Sequence, residues 1–282
     1  MTRLTFFLAI LLLPLQLFAL RPTRTVLLYP DGAPDSNGYA PSDEYTENET
    51  MIFRTSVPRI DLYCADQPKG MLLVCPGGAY IFTSVGNEGV NVAEFFVPRG
   101  YSIAVLKYRM PNGHERIPLE DACRAMELLR DSAEAWQLPA NIGVMGFSAG
   151  GHLAASLLTK YSSTRSRPDY GILVYPVISM DSALTHDESC RQLLGDHPTD
   201  AQRLLWSADR QVTTDTPPCL IVGCQDDDVV QIRNSLLFHQ ALTAANVPAS
   251  LVIVPHGGHG WGFLRHFPDR ELIDQAILSF LR

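Results

Sequence analysis

Short apolar runs recur along the chain, and segments with helical periodicity separate them. Each run has the length of a β-strand and is nearly continuous in apolar residues rather than alternating, which indicates burial on both faces of a sheet. The runs occupy residues 71–75, 101–108, 141–147, 171–177, 218–224 and 249–255. Helical periodicity lies between and after them, over residues 88–97, 119–136, 149–160, 233–245 and 269–281. This alternation predicts an α/β fold, with a mainly parallel sheet covered by helices on both faces.

Two stretches depart from this alternation. Residues 22–62 are rich in Pro, Gly, Asp, Asn and Glu, and they predict a surface arm that ends in the short strand 60–64. Residues 180–216 predict an insertion near the functional site. The chain has 282 residues, 46% of them hydrophobic, and neither an internal repeat nor a long linker. We therefore expect a single domain over residues 21–282.

The first 20 residues have the composition of a secretory signal peptide. Arg3 precedes an apolar run of roughly 15 residues, and Arg21 begins the polar chain. The alternative is a transmembrane anchor, but the run is shorter than the about 20 residues of a bilayer span and contains Pro14. The sequence therefore predicts a secreted or periplasmic protein, with no stable membrane insertion after signal cleavage.

The net charge and the cysteines exclude several classes of function. The formal net charge is −8, and basic residues are not clustered, so neither nucleic acid nor an anionic membrane is an expected partner. Six cysteines are scattered singly, without a CxxC pair, and we expect them to be small buried apolar side chains. A disulfide between distant cysteines stays open. A neutral substrate fits this composition best.

A nucleophile motif follows the run at residues 141–147. The pentapeptide Gly146-Phe147-Ser148-Ala149-Gly150 matches G-x-S-x-G between a predicted strand and a predicted helix. A sharp turn there exposes the Ser148 hydroxyl, and the crowded backbone requires small flanking residues. Amide groups at the start of the helix would face a developing oxyanion. The motif predicts a nucleophilic serine, although a glycine-rich turn between a strand and a helix is the alternative.

A glycine loop after the run at residues 71–75 predicts the oxyanion hole. This loop reads Pro76-Gly77-Gly78-Ala79-Tyr80 and lies where an α/β hydrolase has its HGGG-type loop. The expected donors are the amides of Gly78 or Ala79, together with the amide of Ala149. Pro76 replaces the usual His and leaves those amides intact.

The base and the acid are expected after the last two strands. His256 and His259 both follow residues 249–255, and His259 lies within the glycine loop that could bring an imidazole over Ser148. His256 is expected to pack or to face solvent. The HxxH spacing has no accompanying ligand set, so neither a metal nor another cofactor is expected. Asp226, Asp227 and Asp228 follow residues 218–224, and one of them should orient His259.

The sequence indicates a functional role less strongly for three other polar residues. His152 lies one turn beyond Ser148 and is interpreted as a packing residue of the helix. Arg109 and His114 follow the run at residues 101–108. They could line the substrate side of the site or belong to loop structure.

Several long blocks resemble the secreted bacterial acetyl-xylan-esterase-like carbohydrate esterases of the α/β-hydrolase superfamily. These blocks are CPGGAY, KYRMPNGHERIPLEDACRAMELLR, IGVMGFSAGGHLA, QVTTDTPPCLIVGCQDDDVVQIRNSLLFHQAL and PHGGHGWG. The resemblance covers essentially the whole chain after residue 20. It implies that Asp227 is the acid, because aligning Asn234-Ser235 with the family's N-S helix start places the acid three residues before Val230. Gln231 departs from the family's Pro.

The expected activity is that of a serine esterase with the triad Ser148, Asp227 and His259, in the chain order of α/β hydrolases. The resemblance implies a small-molecule or polysaccharide acetyl ester as substrate, with xylan foremost. Other readings stay open. They are a different serine hydrolase (a lipid esterase or other carboxylesterase, an amidase or a peptidase), a glycosidase and a carbohydrate-binding pseudo-hydrolase. A glycosidase would need two carboxylates that flank a glycosidic bond, and adjacent residues on one loop do not.

Overall fold

A computed structural model describes residues 20–282, so the predicted signal peptide lies outside the described residues except for its last residue. The main sheet has eight strands in the spatial order β1-β4-β7-β5-β8-β9-β10-β11. Its strands are β1 (Arg24–Leu27), β4 (Arg59–Tyr63), β5 (Gly70–Cys75), β7 (Tyr101–Lys107), β8 (Ile142–Phe147), β9 (Gly171–Val174), β10 (Cys219–Cys224) and β11 (Ala249–Val254). The strands from β7 to β11 in this order are parallel, and β4 pairs antiparallel with both β1 and β7.

Helices cover both faces of this sheet, as the sequence predicted. They are α1 (Asn91–Phe96), α2 (Ile117–Asp131), α3 (Ala133–Trp136), α4 (Ser148–Lys160), α5 (Asp187–Leu194), α6 (Asp200–Trp206), α7 (Arg233–Ala244) and α8 (Arg270–Phe280). Buried side chains of α2, α4 and α7 share one apolar layer, and those of α1 and α8 share the opposite layer. Because successive strand residues point to opposite faces, Met71 and Leu73 of β5 enter the first layer, whereas Leu72 enters the second.

The prediction of a surface arm with one short strand at its end was incomplete for residues 22–62, because this stretch also contains three further strands. β1 extends the main sheet, with Arg24 opposite Leu62. A second, three-stranded sheet contains β2 (Tyr45–Glu47), β3 (Met51–Phe53) and β6 (Phe82–Ser84). All three residues of β2 and most of β1 are exposed. Their extended conformation therefore depends on pairing with distant strands rather than on an apolar pattern of their own.

Three elements also differ from the sequence prediction, two in their bounds and one in its burial. β9 ends at Val174, because Tyr175 has a φ of 37° and Pro176 follows it. The helix expected over residues 88–97 is divided into a π-helical turn, Gly86–Val90, then α1 and a 3₁₀ turn. β11 lies at the edge of the sheet and is mostly half-buried, so the expectation of a fully buried strand was wrong.

The cysteines behave as the sequence predicted. All six thiols are unpaired, five of them are buried, and Cys64 is half-buried. Among residues 20–282, no helix combines the length and the apolarity needed to cross a bilayer.

Candidate active site

A sharp turn joins β8 to α4 and places Ser148 at its apex. Ser148 has a φ of 52°, in the left-handed region that costs about 1–3 kcal/mol for a side-chain-bearing residue. The neighbouring backbone leaves no room for larger residues. A Cβ on Gly146 would lie 2.3 Å from the carbonyl oxygen of Gly150, and one on Gly150 would lie 2.1 Å from that of Cys75. The two glycines of the motif are thus required by steric contact.

The structure brings Ser148, His259 and Asp227 together in one hydrogen-bonded chain. His259 Nε2 lies 2.8 Å from Ser148 Oγ, and His259 Nδ1 lies 2.7 Å from Asp227 Oδ2. The other carboxylate oxygen of Asp227 accepts hydrogen bonds from the amides of Val229 and Val230, at 3.0 and 2.8 Å. With an ionised Asp227, these contacts leave the proton of the imidazole on Nδ1 and a lone pair on Nε2 facing the hydroxyl.

The three adjacent carboxylates at residues 226–228 have different surroundings. The Asp227 side chain is 1% exposed, whereas Asp226 and Asp228 are exposed residues. Asp226 accepts hydrogen bonds from the amides of Gly258, at 2.9 Å, and Gly257, at 3.3 Å. The Gly258 amide is the main reason that the pKa of Asp226 lies below its usual value. Asp226 therefore binds the backbone at the start of the loop that carries His259, and Asp227 contacts the His259 imidazole.

His256 does not reach the nucleophile. Its side chain is 84% exposed and lies 3.3 Å from Asp226. The sequence expectation that His256 packs or faces solvent agrees with this position.

The loop from Pro76 to Tyr80 packs directly against the nucleophile. A Cβ on Gly77 would lie 2.9 Å from Ser148 Cβ. The next three residues, Gly78, Ala79 and Tyr80, all have left-handed φ values, of 127°, 55° and 61°. This conformation keeps the amides of Gly78 and Ala79 out of regular pairing, and no acceptor within residues 20–282 binds either of them.

The Ala149 amide belongs to the first turn of α4, where N–H groups have no partner inside the helix. All three predicted oxyanion donors are therefore amides without regular backbone partners. Two of them lie in the loop that packs on Ser148, and the third lies in the residue that follows Ser148.

The sequence analysis missed Glu88, a buried carboxylate that connects this loop to the rest of the site. Glu88 is 4% exposed, and its Oε2 accepts a hydrogen bond from the Gly77 amide at 2.7 Å. Its Oε1 accepts one from Tyr175 Oη, also at 2.7 Å. Burial raises the pKa of Glu88, and the hydrogen bonds from Tyr175 and Gly77 oppose that rise.

Tyr175 extends this connection to the loop that carries His259. Its hydroxyl accepts a hydrogen bond from the Gly262 amide at 2.8 Å, and its ring centroid lies 4.7 Å from that of His259. Asn87 makes a parallel link, donating from Nδ2 to the Gly260 carbonyl at 2.9 Å. The sequence offers no local signal for these roles, since Glu88 and Tyr175 are far apart in the chain and belong to no recognised motif.

His152 connects α4 to the loop from Pro76 to Tyr80. It is fully buried, its Nε2 lies 2.7 Å from the Trp206 carbonyl, and its Nδ1 lies 2.8 Å from Tyr80 Oη. The carbonyl requires an N–H at Nε2, so the Tyr80 hydroxyl donates to Nδ1 and the ring is neutral. Burial lowers the pKa of His152 to about 4, which favours the same protonation state. The structure thus assigns this residue to packing, as the sequence predicted.

Arg109 does not line the substrate side of the site. It is 1% exposed and forms a buried ion pair with Asp121, with Nη2 2.7 Å from Oδ1. This contact fixes the loop after β7 to α2. His114 is exposed in the same loop, and the neighbouring Gly113 amide donates to the Gln192 carbonyl of α5. For Arg109, the loop-structure alternative is therefore the correct one.

The segment 180–216 places His186 close enough to His259 for the two side chains to interact electrostatically. His186 is half-buried, and a ring nitrogen lies 2.8 Å from Ser189 Oγ. Burial lowers the pKa of His186, and the nearby charge of His259 lowers it further. Among residues 20–282, no group of three or more His, Cys, Asp and Glu side chains is arranged to hold a metal ion.

The solved structures that resemble this fold include two hydrolases. An acetyl ester-xyloside bifunctional hydrolase from Caldicellulosiruptor lactoaceticus is 31% identical, with a TM-score of 0.76 over 92% of this chain and 97% of that one. A carboxylesterase from Lactobacillus plantarum is 23% identical, with a TM-score of 0.67 over 84% of this chain and 95% of that one. At 23% identity, the similarity to the carboxylesterase shows only that the two proteins share a fold.

Two curated relatives match a large part of this chain. An acetylxylan esterase from Xylanibacter ruminicola is 34% identical over 226 residues, which are 78% of this chain and 47% of that protein. Endo-1,4-beta-xylanase B from Butyrivibrio fibrisolvens is 36% identical over 214 residues, 71% of this chain and 33% of that protein. The chain therefore spans less than half the length of either relative. The BD-FAE family model matches residues 60–242, and the chain belongs to this family of α/β hydrolases.

Proposed function

We propose that this protein is a serine esterase that removes acetyl groups from xylan or from its oligosaccharides. The observation that carries the proposal is the continuous hydrogen-bonded chain from Ser148 Oγ through His259 to Asp227. A serine hydroxyl becomes a nucleophile when a neighbouring base takes its proton, and the base needs a third group that orients it. The arrangement requires neither a metal ion nor a cofactor.

The chemistry follows from the positions of these groups. His259 Nε2 takes the proton of Ser148 as Oγ forms a bond to the ester carbonyl carbon. Asp227 stabilises the resulting imidazolium through Nδ1. The amides of Gly78 or Ala79, together with that of Ala149, donate to the developing oxyanion. Collapse of this tetrahedral intermediate breaks the bond between the acetyl carbon and the sugar oxygen, which takes the proton from His259 and leaves as a hydroxyl. The acetyl group stays on Ser148, and water then removes it by the same steps.

The names of the relatives support the choice of substrate. An acetylxylan esterase and an acetyl ester-xyloside hydrolase both share about a third of their aligned residues with this chain. The chain's own charge is consistent with an uncharged ester, since its formal net charge is −8. We also propose that residues 1–20 are a signal peptide, and that residues 21–282 act as one exported domain in the periplasm or outside the cell.

The proposal is tested by acetate release from acetylated xylan. Wild-type protein should release acetate, and it should cleave 4-nitrophenyl acetate faster than the butyrate or longer esters. Ser148→Ala should reduce kcat by several orders of magnitude, because the nucleophile is lost. Asp227→Asn should also cause a large loss, since it favours the wrong tautomer of His259.

Asp226→Asn is the matched control for the acid. It makes the same chemical change one residue away, on a carboxylate that contacts only the loop backbone and His256, and it should cost much less activity. Equal losses in the two variants would contradict the role of Asp227. A preference for long acyl chains, or hydrolysis of amides, would instead support a lipid esterase, an amidase or a peptidase. A protein that binds xylan but does not react with a fluorophosphonate probe would be a pseudo-hydrolase.

A further inference from the structure

The segment that follows β9 leaves the sheet between the nucleophile and the acid. β9 lies between β8 and β10 in the sheet, and the three strands are parallel. Ser148 follows β8, and Asp227 follows β10, so residues 175–218, which connect β9 to β10, begin between these two positions. Ligands of open α/β sheets bind beyond the carboxyl ends of the strands. Residues 175–218 are therefore expected to contact the part of the substrate that lies over the triad.

Hydrogen bonds fix the first part of this segment against the site. The Val177 amide donates to the Ser148 carbonyl at 3.0 Å. The amides of Ile178 and Ser179 donate to Asn234 Oδ1 of α7, at 3.0 and 3.1 Å, and Asn234 is fully buried. The segment therefore has a defined path past the nucleophile before it enters α5.

His186 is a polar residue of this segment that lies near the triad. It directly precedes α5, and it is close enough to His259 and Asp227 to interact with both electrostatically. Its Nδ1 lies 2.8 Å from the hydroxyl of Ser189, a fully buried residue of α5, which restrains the ring. Its Nε2 has no partner within residues 20–282 and is accessible to solvent rather than buried. His186 thus has one accessible ring nitrogen beside the triad.

The proposed reaction requires the leaving sugar to lie near His259. His259 protonates the departing oxygen, so the sugar that carries the acetyl group has to lie beside the His259 imidazole. The acetyl oxygen instead faces the amides of the loop at residues 76–80. Burial lowers the pKa of His186, so at neutral pH its ring is uncharged and has one N–H. A sugar hydroxyl can both donate and accept, so it can pair with Nε2 in either tautomer of His186.

We propose that His186 binds a free hydroxyl group of the acetylated sugar through Nε2 and so selects a polyhydroxy alcohol as the leaving group. This inference rests on the proposed function, in which the protein cleaves an acetyl ester of a sugar. An ester whose alcohol has no further hydroxyl group leaves Nε2 without a partner and gains nothing from His186. His186 is thus a specificity-determining residue for the alcohol, whereas the triad acts on any acetyl ester that reaches it.

The test compares two acetyl esters that differ in their alcohol. One is methyl β-xyloside with a single acetyl group, at the position that the wild-type protein cleaves fastest. The other is cyclohexyl acetate, whose six-membered ring has no hydroxyl group. His186→Asn places an amide near the position of Nδ1 and can keep the contact with Ser189, but nothing replaces Nε2. Its kcat/KM for the xyloside ester should fall about 5- to 10-fold, while its kcat/KM for cyclohexyl acetate should stay within about twofold of wild type.

Two further variants complete the comparison. His186→Gln places its amide near the position of Nε2, so it should retain most of the activity on the xyloside ester. His239→Asn is the matched control, because His239 is also half-buried but lies in the middle of α7. It should cleave both esters as the wild-type protein does.

Two results would overturn the role of His186 and leave the proposed function intact. Equal losses on both esters in His186→Asn would show that the ring only supports the structure around the triad. Unchanged rates on both esters would show that Nε2 does not contact the alcohol. A wild-type protein that cleaves cyclohexyl acetate but no xyloside ester would instead contradict the proposed function, and the role of His186 would fail with it.

Discussion

At the scale of single residues, two buried carboxylates support the candidate site in different ways. Asp227 contacts the imidazole of His259 and is held by two backbone amides. Glu88 contacts neither the imidazole nor the nucleophile, and it accepts hydrogen bonds from the Gly77 amide and from Tyr175. Glu88 thus links the loop that would bind the oxyanion to the loop that carries the base. We infer that it is a positioning residue.

Glu88→Gln should reduce kcat for 4-nitrophenyl acetate by about 10- to 100-fold and change KM less, because small displacements of catalytic groups have effects of this size. Gln keeps one acceptor oxygen but replaces the other with an NH₂ group, which cannot accept from the Gly77 amide or the Tyr175 hydroxyl that faces it, so one hydrogen bond is lost. Glu94→Gln is the matched control, since Glu94 is partly exposed on α1, 3.4 Å from Arg265, and kcat should not change. A Glu88→Gln protein with a lowered melting temperature but wild-type kcat would show a structural role only.

At the scale of elements, the sequence best predicts the helices, strands and turns that depend on local steric constraints and on the local pattern of apolar residues. The order β8, Ser148, α4 follows from the apolar run and from the glycines at 146 and 150, whose neighbours exclude a Cβ. β1 was missed because its pattern is mostly exposed and its pairing with β4 joins residues far apart in the chain. Glu88 was missed for the same physical reason, because its two partners, Gly77 and Tyr175, lie in two separate loops. The sequence identified the candidate triad but not the contacts that hold its loops together.

The contact between His152 of α4 and Tyr80 of the loop at residues 76–80 should make the stability of the protein depend on pH. The folded protein favours neutral His152, whose pKa is lowered to about 4, whereas an unfolded His has a pKa of about 6.5. Between these values the unfolded chain binds more protons, so the free energy of unfolding should fall as the pH falls from about 6.5 to about 4. We expect a loss of a few kcal/mol at most from this residue, measured by chemical denaturation at several pH values.

The slope of that pH dependence identifies the residue responsible. In His152→Asn, the dependence over this range should become shallower, whatever the stability of the variant at pH 7. His256→Asn is the control, because the exposed His256 side chain should leave the slope unchanged. An unaltered slope in His152→Asn would assign the effect to other groups.

At the scale of the whole molecule, the central sheet separates two apolar layers, and cysteines serve as small apolar side chains in both. Cys75, Cys123, Cys190 and Cys219 lie in the layer of α2, α4 and α7, and Cys224 lies in the opposite layer. Burial raises the pKa of each of these thiols, that of Cys224 to about 11. A buried thiol that stays protonated is a poor nucleophile, so these cysteines should be chemically inert in the folded protein.

Alkylation tests this arrangement without a variant of the core. Iodoacetamide at pH 8 should label the native protein at Cys64 at most, because only that thiol is half-buried rather than buried. All six thiols should be labelled after unfolding in denaturant without a reductant, as counted by mass spectrometry. Cys64→Ala should then show no label in the native state. Fewer than six labels in the unfolded chain would reveal a disulfide between distant cysteines.

The π-helical turn Gly86–Val90 also constrains how a gene for such a protein can change over generations. Its neighbouring residues Asn87 and Glu88 bond to two different loops, at the Gly260 carbonyl and the Gly77 amide. One inserted or deleted codon would turn one of these side chains away from its loop, since successive residues of a helix point in different directions. Insertions and deletions should therefore accumulate among descendants in the exposed stretch before β4, while the distance from Gly77 to Glu88 stays constant.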